Sequence, residues 1–264
     1  MTGVKAGRKR KVSESDCMAA EVYTTVRERI LHGKLAIGQI VSRRKLAAEL
    51  GMSLLPVSEA LIRLQHEGLL ESQPRVGTRV RVPTRPDVQG HYVIREALES
   101  QAAMLFAAEA TAEERAELME LAVSVDELSV QSEGDRFLYS RLHEKLHQRI
   151  AEYARCPALA DVISRISAVA ATWLCATRGS SRANPPTHHQ DLMRILTAES
   201  PAIAADAMRA HIRFSRENAL RRLELYFRLQ QEYPQKYTRT AKKSLSLESF
   251  LLAESAATYE SPSF

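Results

Sequence analysis

His143 and His147 stand one helical turn apart, and His189 and His211 follow in a stretch that reads as amphipathic helices. Neutral imidazole nitrogens ligate divalent transition metals, and four of them facing one interior would make a metal site. His147 is followed on its own helical face by Ile150 and Ala151, and His189 by Leu192, Met193 and Leu196, while His211 is flanked by Met208 and Phe214. Each therefore points towards apolar neighbours rather than water. His188 is the poorer candidate of the adjacent pair, because Asp191 lies on its face. For any one of them a core histidine satisfied by a carbonyl is the commoner reading; four together alter those odds towards a metal.

Composition bounds what such a site could serve. With 264 residues, 45% of them hydrophobic, the chain suits two modest globular domains. No apolar run approaches the roughly 20 residues of a membrane span, and the amino terminus lacks a secretory apolar core. A cytoplasmic protein with no membrane partner is expected. Cys17, Cys156 and Cys175 show no C-x-x-C spacing, which implies reduced thiols rather than a disulfide framework or a zinc ribbon. The net charge of +5 is uneven: residues 1–83 carry 15 Lys+Arg against 8 Asp+Glu, and the rest 22 against 24. An amino-terminal basic excess suits a nucleic-acid-binding module joined to a near-neutral partner. Part of it lies in residues 1–19, where Lys5, Arg8, Lys9, Arg10 and Lys11 form a basic arm without apolar periodicity, expected to be disordered. Such an arm serves either phosphate contact or solubility.

Residues 20–83 read as three short helices and a hairpin. The first helix, near Glu21 to Leu31, aligns Val22, Val26 and Ile30 and ends before Gly33. The second has Ser42 as N-cap and Leu46, Ala47 and Leu50 as its apolar face, stopping at Gly51. The third has Ser53 as N-cap, Pro56 in its first turn and Val57, Ala60, Leu61 and Leu64 on its buried side. Two helices separated by Gly51-Met52 make a helix-turn-helix. Strand-like runs Leu69–Ser72 and Thr78–Val82 flank Gln73-Pro74-Arg75-Val76-Gly77, which completes a winged helix-turn-helix with a basic tip. In such a fold the second helix of the motif enters the major groove, and Arg75, Arg79 and Arg81 of the wing can lie along the backbone or the minor groove.

The run from Val22 to Val82 contains G-x-L-x-x-G at Gly33–Gly38, L-A-x-x-L-G at Leu46–Gly51, P-V-S-E-A-L at Pro56–Leu61 and E-G-L-L-E-S at Glu67–Ser72. It resembles the DNA-binding domain of the GntR family of bacterial transcription regulators. The resemblance implies that Arg43, Arg44, the helix start at Ser53, Leu54 and Ser58, and the wing at Arg75, Gly77 and Thr78 meet a double-stranded operator. This chain departs from the family at Leu54 and Ser58, where arginines are common. Leucine offers only apolar contact, for example to a thymine methyl, so an altered operator is expected. Arg43, Arg44, Lys45, Arg63 and the wing arginines still supply phosphate-binding charge.

Beyond Pro83 no strand pattern competes with helices. Thr84 caps a long helix from about Pro86 to Ala110 with Asp87 three residues on, and Thr-Ala-Glu-Glu at Thr111 spells a second capping box. Further helices fit Asp135–Ala154, Ala158–Arg178, His188–Glu199 and Pro201–Leu229. The expected fold is mainly α: the three helices and two-stranded wing, then an all-helical antiparallel bundle over residues 84–229. Residues 230–264 read as a polar tail.

Residues 88–225 resemble the helical effector-binding domain of the FadR-type branch, called FCD. Leu146–Pro157 matches its first motif, His189-Gln190-Asp191-Leu192-Met193 its second, and His211 follows 22 residues on. The resemblance implies a divalent metal held by His147, His189 and His211, with His143 standing where the family usually has aspartate. It also implies that Arg95, within V-I-R-E-A-L-E, faces the effector. Four neutral nitrogen donors would leave the full charge on the ion and favour zinc or nickel over manganese or magnesium. The implied protein is a homodimeric regulator, most simply a repressor, on a palindromic operator, with a small carboxylate or sugar acid as effector. Two rivals remain at this level. One is a regulator for which the ion itself is the signal; the other is a metal-dependent hydrolase, against which stands the winged helix, for which an enzyme has no need.

Overall fold

Two apolar cores form along the chain, and the elements around them are those that carry the candidate residues. The computed structural model describes residues 14–74, 77–130, 136–176 and 185–232. The first core joins α1 (Glu14–Leu31), α2 (Arg43–Leu50), α3 (Leu54–His66) and a hairpin of β1 (Leu70–Gln73) and β2 (Gly77–Val80). Val22, Val26, Val57, Leu61, Leu64 and Val80 meet in it. Burying each such side chain contributes about 1.5–3 kcal/mol, which is what lets short helices hold their places.

Helix α1 starts several residues before the apolar stripe that the sequence displays, so residues 14–19 are helical rather than part of a disordered arm. Residues 1–13 and the tail from 233 lie outside the described residues, while 230–232 continue the last helix. Ser42 caps α2 by accepting from the Lys45 amide, and Gly51 closes the helix at φ 64, a left-handed conformation that glycine adopts without penalty. Ser53 holds the N-cap position of α3 but makes no side-chain cap bond. The hairpin is antiparallel, with Leu70 opposite Val80 and Gln73 opposite Gly77. A third segment joins it: Val41 N–H donates to the Thr78 carbonyl and Val80 N–H to the Gln39 carbonyl. The sequence does not announce this edge, because Gln39–Val41 is too short to show a period.

The second core belongs to six helices: α4 (Arg85–Glu109), α5 (Ala112–Val130), α6 (Arg136–Tyr153), α7 (Pro157–Ala176), α8 (His188–Ala198) and α9 (Pro201–Glu232). Tyr92, Phe106, Leu118, Ile150, Met193 and Met208 fill it. Both capping boxes form. Thr84 and Asp87 exchange bonds at the start of α4, and Thr111 and Glu114 do the same before α5. Helix α9 runs antiparallel to α4, tied by ion pairs of Arg85 with Glu224 and of Arg213 with Glu96. The two cores meet where α1 faces α6 and α7. There Arg27 donates to Glu144 over 2.7 Å, beside a cleft of about 350 Å³.

Candidate functional site

Helix α6 presents His143 and His147 four residues apart on one side, α8 brings His189, and α9 brings His211. These helices pack round Met193, Met208 and Ile150, which turns all four imidazoles inward. One ring nitrogen from each of His143, His189 and His211 lies within 4.8 Å of the others. His147 is adjacent, its ring centroid 4.6 Å from that of His143 and 5.2 Å from that of His211. Nδ1 of His147 lies 2.5 Å from Glu99 Oε2. Its Nε2 is buried without a partner. His143, the residue in the aspartate position, thus converges with His189 and His211, and His147 stands beside them against the Glu99 carboxylate.

Two carboxylates orient this cluster. Asp126, on α5, lies 2.6 Å from Nδ1 of His189 and also accepts from the backbone N–H groups of His189 and Gln190. One buried side chain therefore fixes the ring and caps α8. With Nδ1–H given to Asp126, Nε2 of His189 is the free lone pair, and that atom is buried without a partner. Both nitrogens of His211 are likewise buried and unpaired. Orphaned imidazole nitrogens converging from three helices fit a transition metal and are costly without one. The second carboxylate, Glu99, accepts from Arg95 Nε over 2.6 Å.

The electrostatics keep the rings in their ligating form. Burial, reinforced by neighbouring imidazoles, holds His143 and His211 well below the usual histidine range. Burial also lowers His147, against the upward pull of Glu99. Burial opposes ionisation of Glu99, but Arg95 and His147 outweigh it and bring its carboxyl down to about 2. The resulting Glu99 anion is the counter-charge for Arg95, which is 3% exposed and lies over the Tyr92 ring. Arg95 also lines a cavity of about 10 Å³ with Ser140, His143, Glu144, His147 and Ser167. That is space for roughly one water, so Arg95 faces the site, though its guanidinium is engaged by Glu99.

The candidate nucleic-acid face is at the other end. Arg43 and Arg44 are exposed in the first turn of α2, and Ser53 and Leu54 are exposed at the start of α3. Ser58 turns its hydroxyl back to the Leu54 carbonyl. Gly77 is exposed at the wing with φ 108, a conformation that disfavours any side chain. Thr78 is a correction: it is buried, with its hydroxyl accepting from Gln65 of α3, because β2 turns alternate residues inward. Arg79 pairs with Glu71 across the hairpin, and Arg81 with Asp87 at the start of α4. Arg75 lies outside the described residues.

Comparison with known proteins assigns both halves. Residues 18–80 match the family described as bacterial regulatory proteins, gntR family, and residues 91–214 match the FCD domain. The chain belongs to the GntR family and carries an FCD domain. GntR regulators of this kind act on transcription and are not enzymes. This GntR chain is 29% identical over 197 residues to the "Probable D-xylose utilization operon transcriptional repressor" of Paenarthrobacter nicotinovorans, covering 74% of this chain and 85% of that one. It is 26% identical over 149 residues to the "HTH-type transcriptional repressor RspR" of Escherichia coli, covering 56% of this chain and 64% of the relative. Among solved structures, a putative GntR transcriptional regulator from Rhodococcus sp. RHA1 superposes with TM-score 0.66 at 20% identity, covering 77% of this chain and 98% of that one. Escherichia coli McbR/YncC does so with TM-score 0.59 at 21% identity, covering 82% and 98%.

Sequence reasoning missed Asp126 and Glu99. Glu99 carries a findable signal, lying four residues after Arg95 on one helical face. Asp126 carries none, being 63 residues from the histidine it holds.

Proposed function

We propose that this GntR regulator is a repressor that binds a palindromic operator as a homodimer. Residues 20–83 form its reading head and residues 84–229 the sensor. The sensor holds a divalent transition metal, zinc or nickel, through His143, His189 and His211, with His147 as the adjacent donor, and takes a small carboxylate or sugar acid. The carrying observation is the convergence of ring nitrogens of His143, His189 and His211 from three helices, those of His211 and Nε2 of His189 being buried without a partner and His189 being oriented by Asp126. When bound, the ion supplies a positive centre, undiminished by any ligand carboxylate, to which an acid would be attracted. Arg95 stands ready on the cavity wall with Ser140 and Ser167 as hydroxyl partners. The names of two relatives support repression, and one of them supports a sugar-derived signal. The metal and the acid bias one packing of the helical region, and through it the placement of two reading heads.

A second reading has its own support: the cavity of about 10 Å³ has no room for an organic acid without movement of α6 or α7, which suits an ion acting as the signal. Thermal shifts of metal-loaded full-length protein against organic and sugar acids, repeated after chelation, separate the two. Acid-dependent stabilisation that disappears on chelation supports the first. Operator binding that is lost on chelation and unaffected by every acid supports the second.

A further inference from the structure

Helix α3 faces away from its core with an unusual set of side chains. Its buried side is Pro56, Val57, Ala60, Leu61 and Leu64. On the solvent side, Leu54, Leu55 and Ile62 are 50%, 62% and 52% exposed. Single exposed hydrophobics are ordinary, but three within nine residues on one open helix face are not. Leu55, Glu59 and Ile62 share a stripe by their spacing of four and three, and Leu54 and Ser58 lie on the next.

The polar groups on this side offer little to a base edge as donors. The Ser58 hydroxyl donates to the Leu54 carbonyl over 2.7 Å, so its proton is spent within the helix. Arg63, one turn further on, is paired with Glu67 at 3.1 Å and lies 3.9 Å over the Tyr23 ring, which draws its guanidinium back towards α1. Glu59 is the one charged residue in the first two turns, and it can only accept. The usual means of reading guanine, a bidentate arginine, is therefore missing from the part of a recognition helix that meets the bases.

Two major-groove groups match what remains. The thymine C5-methyl is an apolar target, and the cytosine amino group is a donor for a carboxylate. We propose that α3 reads thymine methyls with Leu54, Leu55 and Ile62 and a cytosine amino group with Glu59. From Leu54 to Ile62 the helix advances about 12 Å, enough to follow three or four base pairs. Arg43, Arg44 and Lys45, exposed on α2, supply the phosphate contacts that a sequence-reading face without cations needs. This assignment rests on the DNA-binding reading and names what that reading recognises.

The test uses full-length protein and duplexes selected by it from a random pool. Each thymine of a selected half-site is replaced by uracil, which removes the methyl and nothing else. Affinity is then measured by fluorescence anisotropy. Three positions should each lose about fourfold, the worth of one buried methyl. Leu54→Ala, Leu55→Ala and Ile62→Ala, at exposed sites that leave the fold intact, should each abolish the uracil penalty at a different position. Glu59→Gln should relax the preference for one cytosine. Tight duplexes indifferent to uracil would overturn the assignment alone. Failure to select any duplex would overturn it together with the DNA-binding reading. Self-association lost in Leu55→Ala, with uracil without effect, would give the face to a second copy of the chain instead.

Discussion

Asp126 and Glu99 do for the histidines what the histidines would do for a metal. Asp126→Asn keeps the shape but replaces an acceptor that serves the His189 ring and two amides. Metal affinity should fall 10- to 100-fold by calorimetric titration, as carboxylate partners of ligating histidines generally require. Unfolding free energy in chelator should fall by about 1–3 kcal/mol, since α8 loses part of its cap. Unchanged affinity would show that the ring needs no such partner. Glu99→Gln is predicted to be harsher for the fold. It leaves Arg95 as a buried charge without its anion, a loss of about 3–5 kcal/mol that urea denaturation should register. A neutral effect would mean that Arg95 finds another counter-charge, and would weaken its place beside the effector.

At the scale of the element, helix α4 carries a chemical stripe, His91, Arg95 and Glu99, along one side. Burial lowers His91 to about 4, with Arg95 acting in the same direction. Its unfolded-state counterpart takes up a proton near 6.5, so the unfolded chain gains protons first as the pH falls. The stability contributed by the neutral ring is complete above about pH 6.5 and is lost progressively towards pH 4. Urea unfolding in chelator should therefore weaken across that window, and His91→Phe, which keeps a ring against Trp173, should flatten the slope. An unaltered slope would exclude His91 as a source.

Helices such as α4 and α5 were readable in advance because Thr84–Asp87 and Thr111–Glu114 are local signals, spaced by the geometry of one helical turn. The helix-turn-helix was readable for the same reason, with Ser42 and Gly51 bracketing α2. The carboxylate beside His147 and the inward turn of Thr78 were not. Both depend on partners, Glu99 and Gln65, that periodicity cannot place in space. The reach of α1 back to Glu14 was hidden because its first turns bury no stripe.

Over the whole molecule, the reading head and the helical region are joined by ion pairs of Arg27 with Glu144 and of Arg81 with Asp87. Glu144 follows His143 on α6 and lines both the small cavity and the larger cleft. From Arg27 the contacts continue on the same cleft to Tyr23, which donates to Glu67, and Glu67 in turn holds Arg63 of α3. A shift of α6 thus has a physical route to the recognition helix. Arg27→Glu should reduce the effect of metal on operator affinity, and Arg27→Glu with Glu144→Arg should restore it. Equal coupling in all three proteins would send the signal elsewhere.

The account as a whole turns on whether the imidazole cluster holds an ion. Calorimetric titration of zinc into chelator-stripped, full-length protein tests this most directly, with His189→Ala and His211→Ala run beside it. One tightly held ion per chain, lost in both variants, is the predicted result; no binding, or binding that survives in both variants, would contradict it.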